Sequence, residues 1–199
     1  KCKPHNPSGK PFCCDICHAV PSAYTQEWAY LQDHTDLWHP WRGDECTAHP
    51  EDPARLKGET PDSMILLACL GPDQCQREYR TISCRQFPFF PYITKDDLFI
   101  GLTYNWALED TCWVISHLSQ VTDTYRVEFI RHYDSFFSKW IDGIKSFAQR
   151  SAQMRSDFIA QNRSIPILHR DGGFYLLRPI NERLRPIEAN RLPTYGFYR

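Results

Sequence analysis

Sulfur is the first chemistry this chain offers. Cys69, Cys75 and Cys84 fall within sixteen positions, in the stretch LLACLGPDQCQREYRTISCRQFPFFPY, and Cys13-Cys14-Asp15-Ile16-Cys17-His18 stands upstream. Thiolate sulfur is a soft ligand that selects Zn²⁺, Cu(I) or iron–sulfur clusters over hard cations. A structural zinc takes four tetrahedral N or S ligands, and an iron–sulfur cubane takes four cysteines. Cys14-x2-Cys17 lets two sulfurs converge on one ion through a tight turn, while Cys75 and Cys84 meet if the loop between them folds back. The expected ligand set is Cys13, Cys14, Cys17, Cys69, Cys75, Cys84 and Cys112, the last of which opens an apolar segment beside Trp113. Cys2 and Cys46 lie in polar surroundings and are left out of it. His18, beside Cys17, is a minor ligand candidate left out of the set, and His34, His39 and His49, in the loop at 33–62, are read as solvated side chains.

The downstream half resembles the CxxCxxCC family of zinc- or iron-chelating domains, which includes the YkgJ-type proteins and has flagellin lysine N-methylase as a larger relative. The resemblance rests on Cys69, Cys75, Glu78, Tyr79, Arg80, Cys84, Arg85, Phe87 and Pro88, with Thr81 where the family usually has proline. Upstream, the family block Cys-x-x-Cys-x-x-Cys-Cys is replaced by Cys13-Cys14-x-x-Cys17, so an altered ligand set is implied. The match spans roughly residues 10–118 and leaves 119–199 uncovered. It implies a metal-binding protein holding an iron–sulfur cluster in preference to zinc, with Phe87, Phe89, Phe90 and Trp113 shielding it. The alternatives are a protein lysine N-methylase-like enzyme and a structural zinc module within an assembly. Methyl transfer gains no support from a nucleotide-type loop, since no G-x-G-x-x-G occurs.

Composition sets the wider limits. A chain of 199 residues with 42% apolar and 14% aromatic residues builds a core without needing covalent staples. Its net charge of −1 provides no global field for nucleic acid, so no nucleic-acid partner is expected. No run of about 20 apolar residues occurs, which excludes a transmembrane helix. Nine cysteines is an odd count, which argues against a disulfide framework and for reduced thiols in the cytoplasm.

The positioning elements follow from periodicity. Residues 25–32 read as a short helix, 33–62 as a long loop, and 64–70 as a buried run of either type. Pro88 and Pro91 make 84–94 extended. Tyr125, Phe129, Tyr133, Phe136, Trp140, Ile144 and Phe147 draw one stripe along a long helix at 123–149, N-capped by Asp123 and followed by a second helix at 151–161. Residues 165–177 read as a hairpin around Gly172-Gly173. The expected fold is α+β but mostly helical: an irregular Cys-rich metal-binding core over 1–118, then a helical and hairpin extension over 119–199, packed as one domain. The terminus carrying Arg178, Arg183, Arg185 and Arg191 is the candidate surface for a protein partner.

Overall fold

The computed structural model describes residues 2–6, 8–46 and 52–198, apart from the side chains of Ile141 and Asp142. His49 therefore lies outside the described residues. The chain divides into two compact units, Lys1–Phe87 and Pro88–Arg199, rather than at 118/119.

The first unit is organised by a sheet. Strands β1 (Ser22–Tyr24), β2 (Trp38–Pro40) and β3 (Met64–Cys69) pair antiparallel in the order β1-β3-β2. The run at 64–69 is the central strand, which explains its nearly unbroken apolar character: both of its edges are occupied. Helix α1 (Thr25–His34) follows β1 directly, α2 (Pro53–Glu59) starts behind the N-cap Asp52, and α3 (Ile82–Gln86) closes the unit. Ala23, Leu31, Leu37, Trp38 and Leu67 form the core, with Trp28, Ile65, Cys69, Tyr79 and Cys84 packed against it. The sulfurs are thus attached to an ordered apolar core.

The second unit holds β4 (Phe89–Ile93), β5 (Phe99–Tyr104), α4 (Asp123–Lys139), α5 (Ile141–Ala160), β6 (Ile165–His169), β7 (Phe174–Arg178) and β8 (Arg183–Ile187). Its sheet runs β4-β5-β6-β7-β8, antiparallel throughout. Pro91 is tolerated because β4 is an edge strand, where a missing N–H leaves no ladder partner orphaned. Gly101 lies at φ +149°, and a Cβ there would run into the Leu168 carbonyl, so the β5–β6 approach requires glycine. Phe90, Tyr92, Met154, Phe158, Ile165, Ile167 and Leu177 fill the core. Phe90 is therefore a core residue of this unit.

Three expectations need correction. The fold is α+β, but two antiparallel sheets organise it, so it is neither mostly helical nor irregular around the cysteines. The hairpin at 165–177 is real, yet β8 continues it and the whole belongs to the five-stranded sheet. The long helix is also two helices, broken at Trp140 (φ −131°, ψ 86°), and its N-cap is Thr122, whose hydroxyl accepts from Tyr125 N. In one straight helix Tyr133 and Phe147 would stand roughly 21 Å apart at 1.5 Å per residue. Their rings instead meet edge to face at 5.2 Å, so the aromatic stripe folds back on itself. Gly143 permits this, because a Cβ at that position would strike the Phe136 ring.

Candidate metal centre

The downstream sulfurs are placed by three local devices. Cys69 ends β3, paired across the ladder with Trp38. Gly71, at φ +99°, then turns the chain into a 3-10 turn over Pro72–Gln74, which delivers Cys75. Thr81 caps α3 by accepting from Cys84 N at 3.1 Å, and this fixes Cys84 in the first turn. Helix α3 is in turn pinned to β1. Ser83 Oγ donates to the Ser22 carbonyl and accepts from Ser22 N at 3.1 Å. The Glu27 carboxylate accepts from Tyr24 N at 3.3 Å and Ile82 N at 2.6 Å, tying the starts of α1 and α3 together.

Two arginines complete this half. Arg85 Nε donates to the Arg80 carbonyl at 2.9 Å and its Nη2 to the Glu78 carbonyl at 2.6 Å, clamping the backbone between Cys75 and Cys84. Arg80, so held, donates from Nε to Cys75 Sγ at 3.1 Å. The motif Cys-Arg of the sequence thereby acquires a mechanical role: Arg85 braces the segment that aims Arg80 at sulfur. Neither role was legible from spacing, although the recurrence of Arg between two cysteines was the available signal.

Upstream, Cys13 and Cys14 sit on a 3-10 turn over Phe12–Cys14 that is anchored by its first residue. Phe12 is buried and stacks on His18, 4.8 Å between ring centres, and on Phe87 at 6.1 Å. Asp15 is buried as well and accepts from Cys17 N at 3.2 Å. Burial alone would raise its pKa; hydrogen bonds from Ser8 and Cys17 N, helped by His18 and Lys10, outweigh it and hold the carboxyl below its usual range.

The two halves share one electrostatic neighbourhood. Burial raises the Cys84 thiol to about 11; Arg80 opposes this, and the charges of Cys14, Cys75 and Cys69 add to it. Burial likewise raises Cys69, with Cys14 and Cys75 contributing. Cys2, left out of the expected set, is raised by burial and also senses Cys14. Cys13 and Cys14 lie 4.0 Å apart and titrate as a pair: the shared hydrogen bond lowers Cys14 to about 7, assisted by Arg80 against burial, and raises Cys13. Arg80 is the cation common to Cys14, Cys75 and Cys84. Cys2, Cys13 and Cys69 each sense Cys14, yet among the described residues no three Cys, His, Asp or Glu side chains converge tightly enough to hold a metal ion.

Two predicted ligands stand elsewhere. Cys17 forms a disulfide with Cys46, so it is a cross-link and not a thiolate ligand, and Cys46, left out of the expected ligand set, is its partner. Connectivity of this kind is not deducible from cysteine spacing. Cys112 is buried in the second unit, where its N–H bonds the Leu108 carbonyl.

The paired titration has a direct consequence. The thiolate is the nucleophile, so alkylation of Cys14 by iodoacetamide is expected to reach half its maximum rate near pH 7 in the metal-free protein. Cys13→Ala removes the largest lowering influence, and the midpoint should move up by a unit or more, toward the ordinary thiol value of about 8.5. A midpoint that stays put in this variant, read by peptide mass spectrometry, would exclude the hydrogen-bond account.

No family model, no curated protein and no solved structure matches this chain. No helix of the described residues is long and apolar enough to cross a membrane.

Proposed function

We propose that the first unit is a metal-binding module of the CxxCxxCC, YkgJ-like type, its cysteines holding an iron–sulfur cluster in preference to zinc. The observation that carries this reading is Arg80 donating to Cys75 Sγ and standing as the common cation of Cys14, Cys75 and Cys84, with Cys69 sensing Cys14 and Cys75. An all-sulfur donor set suits zinc or iron–sulfur and not a hard cation. Cys14, Cys69, Cys75 and Cys84 are the four proposed ligands. A small rearrangement of side chains must accompany binding, because the sulfurs do not converge on one point as they stand. Four thiolates suit a structural zinc and a cubane alike, so the preference for a cluster rests on the family resemblance. Arg80 fits either group: four thiolates leave a net negative centre, and an N–H donor to a ligating sulfur both offsets that charge and tunes it. A cluster, when bound, supplies one-electron chemistry, whereas zinc supplies a structural cross-link.

A reducing, cytoplasmic setting belongs to the same reading, since it keeps six thiols available for ligation, although it does not favour the Cys17–Cys46 disulfide. So does a protein partner for the Arg-bearing terminus, where Arg178, Arg183 and Arg185 are exposed.

Anaerobic purification followed by elemental analysis tests the centre. About four irons per chain with a brown colour is the expected outcome. One zinc per chain in colourless protein would keep the thiolate centre and replace the cluster. Stoichiometric absence of both, after reconstitution with iron and sulfide and after incubation with zinc, would end the metal reading.

A further inference from the structure

The edge strand β8 borders a groove of about 530 Å³ formed with the end of α5 and the β7–β8 connection. Arg178, Arg183 and Arg185 line it, together with Ile159 from α5, Ile180 from the connection and Leu176 from β7. Ile159 is 44% exposed and Ile180 57%. None of the three arginines has an ion-pair partner among the described residues, and the carboxylates nearest in sequence are already engaged. Glu182 holds Arg155 at 2.9 Å, and Glu188 is paired with Arg191 at 3.6 Å.

Strand parity sorts these residues onto two faces. Leu184 and Pro186 stand opposite Leu177 and Tyr175 in the ladder, and Leu177, Tyr175 and Leu184 belong to the core cluster that α5 covers. Arg183 and Arg185 therefore point to the opposite face, with Arg178 directly across from Arg183. Two residues along a strand advance roughly 6.6 Å, so the two β8 guanidinium stems repeat at the period of alternate residues in any strand laid beside them. Arginine and proline on an edge strand also serve to block edge-to-edge association. That role has no use for two exposed isoleucines flanking the same concavity. Cationic side chains on one face and apolar ones on the α5 face together describe an amphipathic, extended ligand.

We propose that this groove docks an extended segment of a partner protein in which acidic and apolar residues alternate, the acids meeting Arg178, Arg183 and Arg185 and the apolar residues seating against Ile159 and Ile180. The proposal rests on the reading of the Arg-bearing terminus as a partner surface and gives that surface its ligand chemistry. Addition of a strand to an open sheet edge is an established mode of peptide capture, with backbone hydrogen bonds for affinity and alternate side chains for specificity.

The test uses fluorescein-labelled octapeptides, one alternating Leu and Glu and one alternating Ser and Glu, titrated with the full chain and followed by anisotropy. The Leu–Glu peptide is expected to bind at least tenfold tighter than the Ser–Glu peptide, and more weakly as salt rises. Arg183→Glu with Arg185→Glu should cost at least tenfold, as should Ile159→Ser with Ile180→Ser; circular dichroism confirms that these exposed substitutions keep the fold. Equal binding of the two peptides, lost only on charge reversal, overturns the groove and leaves the arginines as a partner surface. Binding that charge reversal does not change overturns both. Failure of the unsubstituted chain to bind the Leu–Glu peptide overturns the groove, and so does stronger retention on phosphatidylserine vesicles, which would make the surface lipid-directed.

Discussion

Replacing Cys84 by serine is expected to lower metal affinity at least about 100-fold, leaving the purified first unit essentially free of iron or zinc. The magnitude follows from what weaker changes do, since loss of a residue that merely supports a ligand already costs about 10–100-fold. The fold should survive, because the features that place residue 84 are not its sulfur. Thr81 still caps Cys84 N, Ser83 still bonds Ser22, and Glu27 still accepts from Ile82 N. Chelation should lower the melting temperature of the unsubstituted protein and leave that of Cys84→Ser unchanged. Cys112→Ala is the control, expected to retain full metal content.

The same residue sets a pH dependence. The Cys84 thiol is held up at about 11 and must lose its proton to become a ligand, so metal binding releases that proton and affinity should rise steadily with pH across the neutral range. Cys14, lowered to about 7, contributes to this slope only below that value. An affinity that is flat between pH 6 and 9, or a Cys84→Ser protein with undiminished iron, would remove Cys84 from the site.

Arg155→Met is expected to destabilise the second unit by about 3–5 kcal/mol, the usual cost of orphaning one partner of a buried ion pair. Arg155 and Glu182 side chains are only 8% and 12% exposed, with Nη1 and Oε1 at 2.9 Å. The same Nη1 donates to the Ile93 carbonyl at 2.9 Å and to Tyr92 Oη at 3.2 Å, so three acceptors on two elements depend on one guanidinium. Glu182 in turn accepts from Tyr92 Oη at 3.1 Å and Lys95 N at 2.9 Å. Burial raises the Tyr92 phenol, which therefore remains neutral and a donor at physiological pH. For a unit of this size the loss corresponds to more than about 10 °C in melting temperature. Glu182→Gln should recover part of the loss when added to Arg155→Met, because the pair then leaves no buried charge unmatched. A shift under about 2 °C in Arg155→Met, by calorimetry, would mean that solvent already satisfies this network.

How much of this was legible in the sequence varies by element. Pro88 and Pro91 marked 84–94 as extended, which holds for β4 because proline's fixed φ and missing N–H act locally, but residues 84–86 lie in helix α3. Tyr125, Phe129, Tyr133, Phe136 and Phe147 were correctly read as helical, because a period of 3.6 is a local signature, whereas Trp140 is 44% exposed and marks the break. The interruption at Trp140 was not legible, for it depends on Phe136 finding room above Gly143 and on Tyr133 meeting Phe147 across the turn. The expectation of a mostly helical fold failed for a related reason. β1, β2 and β8 are three to five residues long, and their strand character exists only through partners far along the chain.

The cysteines divide along the same line. Residue type and spacing alone pointed to soft-metal chemistry in two segments, because thiolate preference is a property of the side chain. Which sulfurs stand together was decided by tertiary structure. Cys17, three residues beyond Cys14 in the most ligand-like spacing of the chain, is joined to Cys46 at a separation of 29, while Cys2 senses Cys14. Arg80 became its central cation only once Arg85 clamped the intervening backbone and Thr81 set α3. Spacing states what a segment can reach, whereas burial, caps and cross-links determine where it is held.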